Sequence, residues 1–430
     1  MFNFYDIAYW MGLGAAAPYW LIKKSAREKV LRALRERMGN VARRESASAA
    51  VWIHAVSVGE INATGALIKG LRKEKPELEF IVSTTTTTGY ARGEQLYGKS
   101  SHVRLIKYPL DFSSAIGRAL DALRPSVVVL MELEIWPNFV LRCKQRGIPV
   151  IIVNGRITEP SFKKYMLLGP VTKRMLRRLD RICAQDETYA GRFISMGAMR
   201  ETVEITGTMK FDTAEVADRV EGDSELAAAV GLKRGEGPIW VCGSTGPGEE
   251  EIVLGVYREL LAKHPGLRLA IIPRHPQRFD EVADLIRQSG FEVVRRSQVT
   301  TPVEPSGAVV LGDTMGELRK FYSLADVVFV GRSLVDLGAR QHGSDMIEPA
   351  GLGKAAVVGP FTANFAEAME RLRAGKGIIE VADAAGLERE VGRLLSASVD
   401  AKGLGNRAQD VVREAKGATG RHVREILEIL

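Results

Sequence analysis

An unbroken apolar run at Val127–Met131 is the feature of this sequence that most restricts its fold. A strand in which every residue is apolar is typical of a parallel sheet covered on both faces, because a half-exposed strand would alternate polar and apolar residues. Two acids, Glu132 and Glu134, follow where such a strand would end. Ligands of open parallel sheets bind outside the carboxyl ends of the strands. The pattern predicts an α/β fold with a ligand site near these acids, although a helix cap or a salt bridge would explain either acid alone.

Apolar runs of strand length alternate with helix-like segments twice along the chain. The predicted strands are 51–56, 79–83, 127–131, 150–153 and 181–184, and then 239–242, 267–272, 291–295, 309–311, 327–330 and 355–358. Such alternation predicts doubly wound parallel sheets with right-handed crossovers. We expect two Rossmann-like domains facing across a cleft, residues 46–213 and 239–404, joined by a linker at 214–238. A closing helix is expected at 405–430.

The size and composition of the chain agree with two folded domains. A chain of 430 residues is too long to fold around one hydrophobic core of ordinary size. Its content of 46% hydrophobic and 26% charged residues is typical of globular proteins. Cys143, Cys183 and Cys242 lie far apart and match no zinc spacing. We expect them to be reduced core residues in a cytosolic environment.

Residues 1–45 are predicted to form an N-terminal membrane-associated helix with a basic flank. The apolar segment 7–22 is uncharged, and residues 23–44 carry +7 of the chain's net charge of +8. The segment is short for a span, which needs about 20 residues, but its aromatic ends and basic flank suit a membrane interface and leave the rest of the chain in the cytosol. A hydrophobic helix docked on the protein itself is the alternative. No nucleic-acid partner is expected, because the remaining chain is nearly neutral and shows no recognised motif.

Two further polar residues, one after a predicted strand and one at the junction of the two domains, could take part in a site. Glu60 comes after Gly59 at the start of a helix-like segment, where it would either project into a ligand site or simply favour the helix N-terminus. Lys210, in the segment 207–212, could meet developing negative charge, although solvent exposure is the commoner fate of a lysine.

The second domain carries several segments suited to a nucleotide. A glycine-rich turn at 243–250 opens a helix, Arg274 and His275 stand between two prolines after a strand, Met315-Gly316-Glu317 starts a helix, and Asp345–Glu348 brings acids to another helix start. Bare backbone N–H groups at such turns suit phosphate, and acids can bind ribose hydroxyls. Each segment is modest evidence in isolation.

Taken together and in this order, the segments 54–60, 132–138, 207–212, 272–276, 315–318 and 348–350 resemble the Kdo (3-deoxy-D-manno-oct-2-ulosonic acid) transferases that act on lipid A precursors. The resemblance covers essentially the whole chain. It implies the GT-B architecture, CMP-Kdo as donor, and the lipid A precursor lipid IVA as acceptor in lipopolysaccharide biosynthesis. It also implies an inverting transfer without cofactor or metal, at the cytoplasmic face of the bacterial inner membrane.

The resemblance further implies roles for individual residues. Glu60 would be the general base that deprotonates the acceptor hydroxyl, and Glu132 and Lys210 would support the transition state, with Glu134 as a structural neighbour. The CMP-binding residues would be Pro273, Arg274, Met315, Gly316, Glu317, Asp345, Met346, Ile347 and Glu348. Among these, Glu348 would hold the ribose.

One segment, residues 331–345, departs from the family pattern. It is longer than expected, Arg332 stands in place of a glycine, and Asp345 stands in place of an asparagine. A carboxylate near a phosphate repels it, so we expect Arg332, Arg340 or His342 to compensate.

Two other functions stay open on the sequence. A nucleotide-sugar epimerase of related two-domain fold would explain the sheets but not the N-terminal segment. A membrane-bound scaffold with a degenerate site would bind no CMP. Residues 161–178 mix apolar and basic residues, as an acceptor lipid would require and as an amphipathic surface helix would also show.

Overall fold

The computed structural model describes residues 3–12, 34–302, 307–338 and 341–430. The chain forms two units, one made of residues 1–213 with 416–430 and the other of residues 214–415. Within the described residues, each unit is built on a parallel sheet of seven strands. The predicted two-domain α/β fold is therefore confirmed. The predicted cleft between the domains stays a prediction.

The first sheet contains the apolar run from which the fold was predicted. Its strands are β1 (Ala50–His54), β2 (Glu79–Thr84), β3 (Val103–Lys107), β4 (Val127–Met131), β5 (Val150–Gly155), β6 (Arg181–Ala184) and β7 (Val203–Ile205). The order across the sheet is β3-β2-β1-β4-β5-β6-β7, and all neighbours are parallel. The chain order reverses between β1 and β4, and open sheets bind ligands at such a switch point.

Helices cover both faces of this sheet. Besides residues 4–12, the helices of eight or more residues are Val58–Glu74, Thr87–Tyr97, Ser113–Leu123, Pro137–Gln145, Glu159–Leu167, Gly169–Leu176, Glu187–Ser195 and Ala418–Ile429, and the shorter ones are Leu34–Arg37 and Lys210–Thr213. Because both faces are covered, Trp52 and Ile53 of β1 are fully buried in different apolar clusters. All five residues of β4 are likewise buried, as its composition predicts.

The second sheet follows a similar plan, but four strands and not three precede its switch point. Its strands are β8 (Ile239–Thr245), β9 (Arg268–Pro273), β10 (Val293–Arg295), β11 (Val309–Leu311), β12 (Val327–Val330), β13 (Ala355–Val358) and β14 (Ile379–Glu380). The order is β10-β11-β9-β8-β12-β13-β14, so β11 lies between β10 and β9 and the switch point lies between β8 and β12. Its helices are Asp223–Val230, Glu249–Lys263, Phe279–Gln288, Leu318–Leu324, Ile347–Gly351, Ala366–Ala374, Ala384–Ser396 and Ser398–Ala415.

The predicted closing helix at 405–430 is not one continuous element. The structure has two helices there, Ser398–Ala415 and Ala418–Ile429, and they belong to different units. Gly417 separates them with a left-handed φ of +93°, a conformation that ends helices and that glycine adopts without strain. Val423 and Ile426 of the second helix complete an apolar cluster of the first unit.

The three cysteines, Cys143, Cys183 and Cys242, are buried and form no disulfide, as predicted.

The segment predicted to be a membrane-associated helix is described only in part, because residues 13–33 lie outside the described residues. Residues 4–12 are helical. No helix in the described part of the chain is long and apolar enough to cross a membrane. The membrane-associated helix stays a prediction.

Candidate active site

Glu60 lies in the first turn of the Val58–Glu74 helix, just beyond the carboxyl end of β1. Its carboxylate accepts hydrogen bonds from the backbone N–H groups of Val56 (3.0 Å) and Ser57 (3.1 Å), and the Ser57 hydroxyl accepts one from the Glu60 N–H (3.2 Å). This reciprocal capping fixes the direction of the Glu60 side chain. Each carboxylate oxygen keeps a further lone pair that can accept a proton.

Glu132 follows β4 directly and adopts a left-handed backbone with φ of +56°. Its N–H donates to the Val153 carbonyl of β5 over 3.0 Å. The left-handed region costs a residue other than glycine about 1–2 kcal/mol, and such strain collects at functional sites. The sequence position that first indicated a ligand site is therefore also a strained one.

Charges of both signs surround Glu132. Burial raises the pKa of Glu132 and the Glu60 carboxylate raises it further, whereas Arg156 and Lys210 lower it. Burial also raises the pKa of Glu134, with Glu60 as the next cause. The carboxyl edge of the first sheet thus brings together the three predicted residues Glu60, Glu132 and Lys210. Arg156 was missed, although it follows β5 as Glu132 follows β4, and the same strand-end rule would have found it.

Lys210 begins the short Lys210–Thr213 helix, after a loop that leaves β7. The N–H of the preceding residue, Met209, donates to the Asn154 side-chain oxygen over 3.1 Å. Asn154 belongs to β5 and has a left-handed φ of +54°. The end of β5 therefore holds the Lys210 segment near Glu132.

In the second unit, the predicted residues around β9 and the Ile347–Gly351 helix share one electrostatic environment. Pro273 ends β9, and the N–H of the exposed Arg274 donates to the Thr245 carbonyl over 3.0 Å. Burial raises the pKa of Glu348 to about 7, and Asp345 adds to this, whereas Arg319 and Arg274 oppose it. Arg319 is a neighbour that the sequence did not single out.

The remaining predicted CMP-binding residues differ in what they can offer a ligand. Met315 is 73% exposed and Gly316 has an open backbone with φ of +86°. The Glu317 carboxylate is already held by Arg296, at 3.1 Å, and by the Thr314 hydroxyl. Met346 and Ile347 have fully buried side chains, so only their backbone could contact a nucleotide.

The glycine-rich turn at 243–250 holds a carboxylate of the protein itself. Glu249 is fully buried and accepts hydrogen bonds of 2.6–2.9 Å from the N–H groups of Gly246, Arg332, Ser333 and Leu334. These four N–H groups are therefore not available to a phosphate. Their bonds instead fix the loop that follows β12.

That loop contains the departure from the family pattern. Arg332 has a left-handed φ of +58°, where the family pattern has glycine. Burial and the nearby Arg274 lower the pKa of Arg332, so the two guanidinium groups are neighbours. His342 pairs with Asp336 at 2.7 Å, and one Asp345 oxygen accepts from the Ile347 N–H at 2.9 Å. Arg340 lies outside the described residues.

Comparison with known proteins identifies the family. A family model described as 3-deoxy-D-manno-octulosonic-acid transferase (kdotransferase) matches residues 32–213. The chain is 36% identical over 373 residues to the 3-deoxy-D-manno-octulosonic acid transferase of Haemophilus influenzae, covering 86% of this chain and 85% of that protein. The chain belongs to the Kdo transferase family. The Bordetella pertussis member is 34% identical over 343 residues, covering 78% of this chain and 77% of that protein.

The family resemblance stated from the sequence is therefore confirmed. Among solved structures, UDP-GlcNAc 2-epimerase from Neisseria meningitidis bound to UDP-GlcNAc matches with a TM-score of 0.56, covering 88% of this chain and all of that chain. The two sequences are 14% identical, so this likeness shows the two-domain fold alone. The epimerase alternative has no other support.

Proposed function

We propose that this Kdo transferase moves Kdo from CMP-Kdo to lipid IVA in lipopolysaccharide biosynthesis, by an inverting reaction that uses no metal or cofactor. The observation that carries the proposal is the convergence of Glu60, Glu132 and Lys210 at the carboxyl edge of the first sheet, in a chain of this family. The first unit would bind the acceptor, and the second unit the nucleotide.

Glu60 acts as the general base. One of its free lone pairs takes the proton of the acceptor hydroxyl, and the acceptor oxygen forms a bond to the anomeric carbon of Kdo. The bond from that carbon to the CMP phosphate breaks, and its electron pair leaves with the phosphate. The two backbone N–H groups that hold the Glu60 carboxylate keep it oriented for this transfer. Attack on the face opposite the phosphate inverts the anomeric centre.

Lys210 and Arg156 supply positive charge at the same edge of the sheet. Both lower the pKa of Glu132, which otherwise rises through burial. A fixed cation stabilises negative charge that develops as a leaving group departs, without any rearrangement at the moment of reaction. Glu132 in turn holds these cations in place, which is the supporting role that the family resemblance implies.

The nucleotide is bound by the residues at the carboxyl ends of β9 and β12. Arg274 and Arg332 offer two neighbouring guanidinium groups to the phosphate, and His275 lies beside both. Glu348, with its raised pKa, accepts hydrogen bonds from the ribose hydroxyls. The backbone at Gly316 is open to a ligand atom.

A membrane surface holds the enzyme near its lipid substrate. The helix at residues 4–12 is fixed to the first unit by its polar face, where Asp6 accepts from the Ser113 N–H at 2.8 Å and Tyr9 donates to Asp111 at 2.8 Å. Its other face exposes Phe4, Ile7, Trp10 and Met11, and a second exposed apolar group is Met166, Leu167 and Leu168. The ring of Trp10 also contacts Phe112, but the exposed apolar surface of this face suits insertion into the cytoplasmic leaflet of the bacterial inner membrane.

Purified enzyme incubated with CMP-Kdo and lipid IVA tests the proposal. We expect CMP release and a lipid heavier by whole Kdo residues in mass spectrometry. Glu60→Gln should lower kcat by about 100-fold or more while leaving CMP affinity unchanged. Glu74→Gln, which removes an exposed carboxylate from the last turn of the same helix, is the matched control. Isomerisation of the sugar without transfer would refute the proposed reaction. Full activity of Glu60→Gln would refute the role of Glu60 as the general base.

A further inference from the structure

The Ala418–Ile429 helix comes last in the sequence but packs in the first unit, with its N-terminus against the segment 206–212. That segment contains Lys210. We propose that this helix positions Lys210 and that Asp212 is the residue that couples them. The inference rests on the proposed function, in which Lys210 takes part in the reaction.

Asp212 supplies the N-terminal cap of the helix from a distant part of the chain. Its two carboxylate oxygens accept hydrogen bonds from the backbone N–H groups of Gly417, at 2.6 Å, and Thr419. The cap residue of the helix is Gly417, which has no side chain to perform this task. A carboxylate at a helix N-terminus satisfies unpaired N–H groups and interacts favourably with the helix dipole. Because Asp212 and Lys210 share the same short helical turn, this cap also fixes the backbone of Lys210.

The other end of the segment is held by the same helix. The Arg421 guanidinium donates to the Thr206 carbonyl over 2.7 Å, and the fully buried His422 lies 3.5 Å from the Thr206 hydroxyl. Gly207 has a φ of +84°, and a Cβ atom there would lie 2.9 Å from the Arg421 guanidinium. The positive φ, rather than this contact, favours glycine at this position, because the Arg421 guanidinium is the end of a flexible side chain that can move aside.

Lys210 is thus located between two attachments to one helix, at Thr206 and Asp212, while Asn154 holds Met209 from β5. Loss of the Asp212 attachment would release one side of this frame without removing any group that touches substrate. The charge of Lys210 would then be displaced relative to Glu132. Small displacements of a charged group in an active site can lower the rate by about 100-fold.

Kinetics of Asp212→Asn in the full chain test the inference. We expect kcat to fall by about 10- to 100-fold, with the affinity for CMP changed by less than about twofold, since the predicted CMP-binding residues belong to the other unit. Asp212→Glu, which keeps the carboxylate, should recover part of the loss. In a Lys210→Ala background, Asp212→Asn should cause little further loss, because a residue that acts through Lys210 has no effect once that side chain is absent.

Glu425→Gln is the control, because it removes a carboxylate that pairs with Arg181 farther along the same helix. It should lower the melting temperature without changing kcat. Equal kcat losses in both variants, or additive losses from Asp212→Asn and Lys210→Ala, would overturn the inference and leave the proposed function intact. Failure of the wild-type enzyme to transfer Kdo would instead refute the proposed function.

Discussion

Arg332 stands where the family pattern has a glycine, and its backbone keeps the left-handed conformation that suits glycine. It has a φ of +58°, a conformation in which any side chain costs about 1–2 kcal/mol relative to glycine. Its guanidinium lies near that of Arg274. The residue therefore combines a local strain with a charge suited to phosphate, and the two effects can be separated by mutation.

We predict that Arg332→Gly stabilises the second unit by about 1 kcal/mol, through relief of this strain, and weakens CMP binding about tenfold, through loss of one cation. Thermal unfolding and calorimetry with CMP measure the two effects. Arg332→Lys keeps the charge and the strain, so it should change the melting temperature little and retain much of the affinity. Unchanged CMP affinity in Arg332→Gly would show that this guanidinium does not reach the phosphate.

The raised pKa of Glu348 leads to a prediction of how its carboxyl group makes the free energy of unfolding depend on pH. Its pKa is raised from an ordinary value of 4.5 to about 7, so the folded state holds a proton that the unfolded state has released between these values. Stability therefore falls as pH rises from about 4.5 to 7 and is level above that. Glu348→Gln should match the wild type near pH 4 and exceed its free energy of unfolding by up to roughly 3 kcal/mol at pH 8.

Thermal unfolding of both proteins from pH 4 to pH 8 measures this difference. Glu259→Gln, which replaces an exposed carboxylate, serves as the control and should show no such trend. A Glu348→Gln variant that is less stable than the wild type at pH 8 would contradict the prediction. The same variant should also bind CMP less tightly, if Glu348 holds the ribose.

The positions of individual candidate residues were predictable where the strand-end rule applied. Glu132 follows an apolar run directly, and Glu60 follows a glycine after another, so both could be named from the sequence. Asp212 could not be recognised as a helix cap, because its partners Gly417 and Thr419 lie about two hundred positions away. Contacts of that kind follow from the fold and leave no local pattern.

At the scale of elements, the central strands were predicted well, whereas three of the four edge strands were missed and only the edge strand β10 was predicted. The missed strands are β3, β7 and β14, and each lies at an edge of its sheet. An edge strand is partly exposed, so β3 includes Arg104 and Lys107 and β7 includes Glu204. Strands of this kind lack the continuous apolar run that identifies a buried strand.

The Ser398–Ala415 helix contains two glycines that should respond in opposite ways to alanine. A Cβ atom at Gly405 would lie 2.0 Å from the Gly353 carbonyl oxygen, whereas at Gly403 the nearest atom is at 3.4 Å, in the flexible Arg407 side chain. Alanine gains about 1 kcal/mol over glycine in a helix interior, but a backbone clash of this size outweighs that gain. We predict that Gly405→Ala destabilises the second unit by about 2 kcal/mol or more.

Gly403→Ala, in the same helix, should instead stabilise it by up to about 1 kcal/mol. The two variants are distinguished by denaturant unfolding that is monitored through the protection of second-unit amides against hydrogen exchange. A stabilising Gly405→Ala would mean that the helix can move away from the Gly353 loop at little cost.

At the scale of the whole molecule, the two strand–helix series predicted two domains, but they did not predict that the chain returns to the first. The Ala418–Ile429 helix has an apolar face that either unit could have buried, and nothing in its sequence names its partner. The partner is determined by how the helices fit together in the folded protein. A Cβ atom at Gly70 of the Val58–Glu74 helix would lie 2.7 Å from the Val423 side chain, so the two helices need a glycine where they meet.

This return predicts the result of a truncation after Ala415. The removed helix carries the buried side chains Val423 and Ile426, and each contributes about 1.5–3 kcal/mol of burial to the first unit. The truncated chain should therefore lose protection of β4 and β5 amides against hydrogen exchange and lose transferase activity. Its second unit keeps every predicted CMP-binding residue and should bind CMP with unchanged affinity. A chain lacking only Leu430 is the control, and protected β4 amides in the truncated chain would show that the first unit does not need the helix.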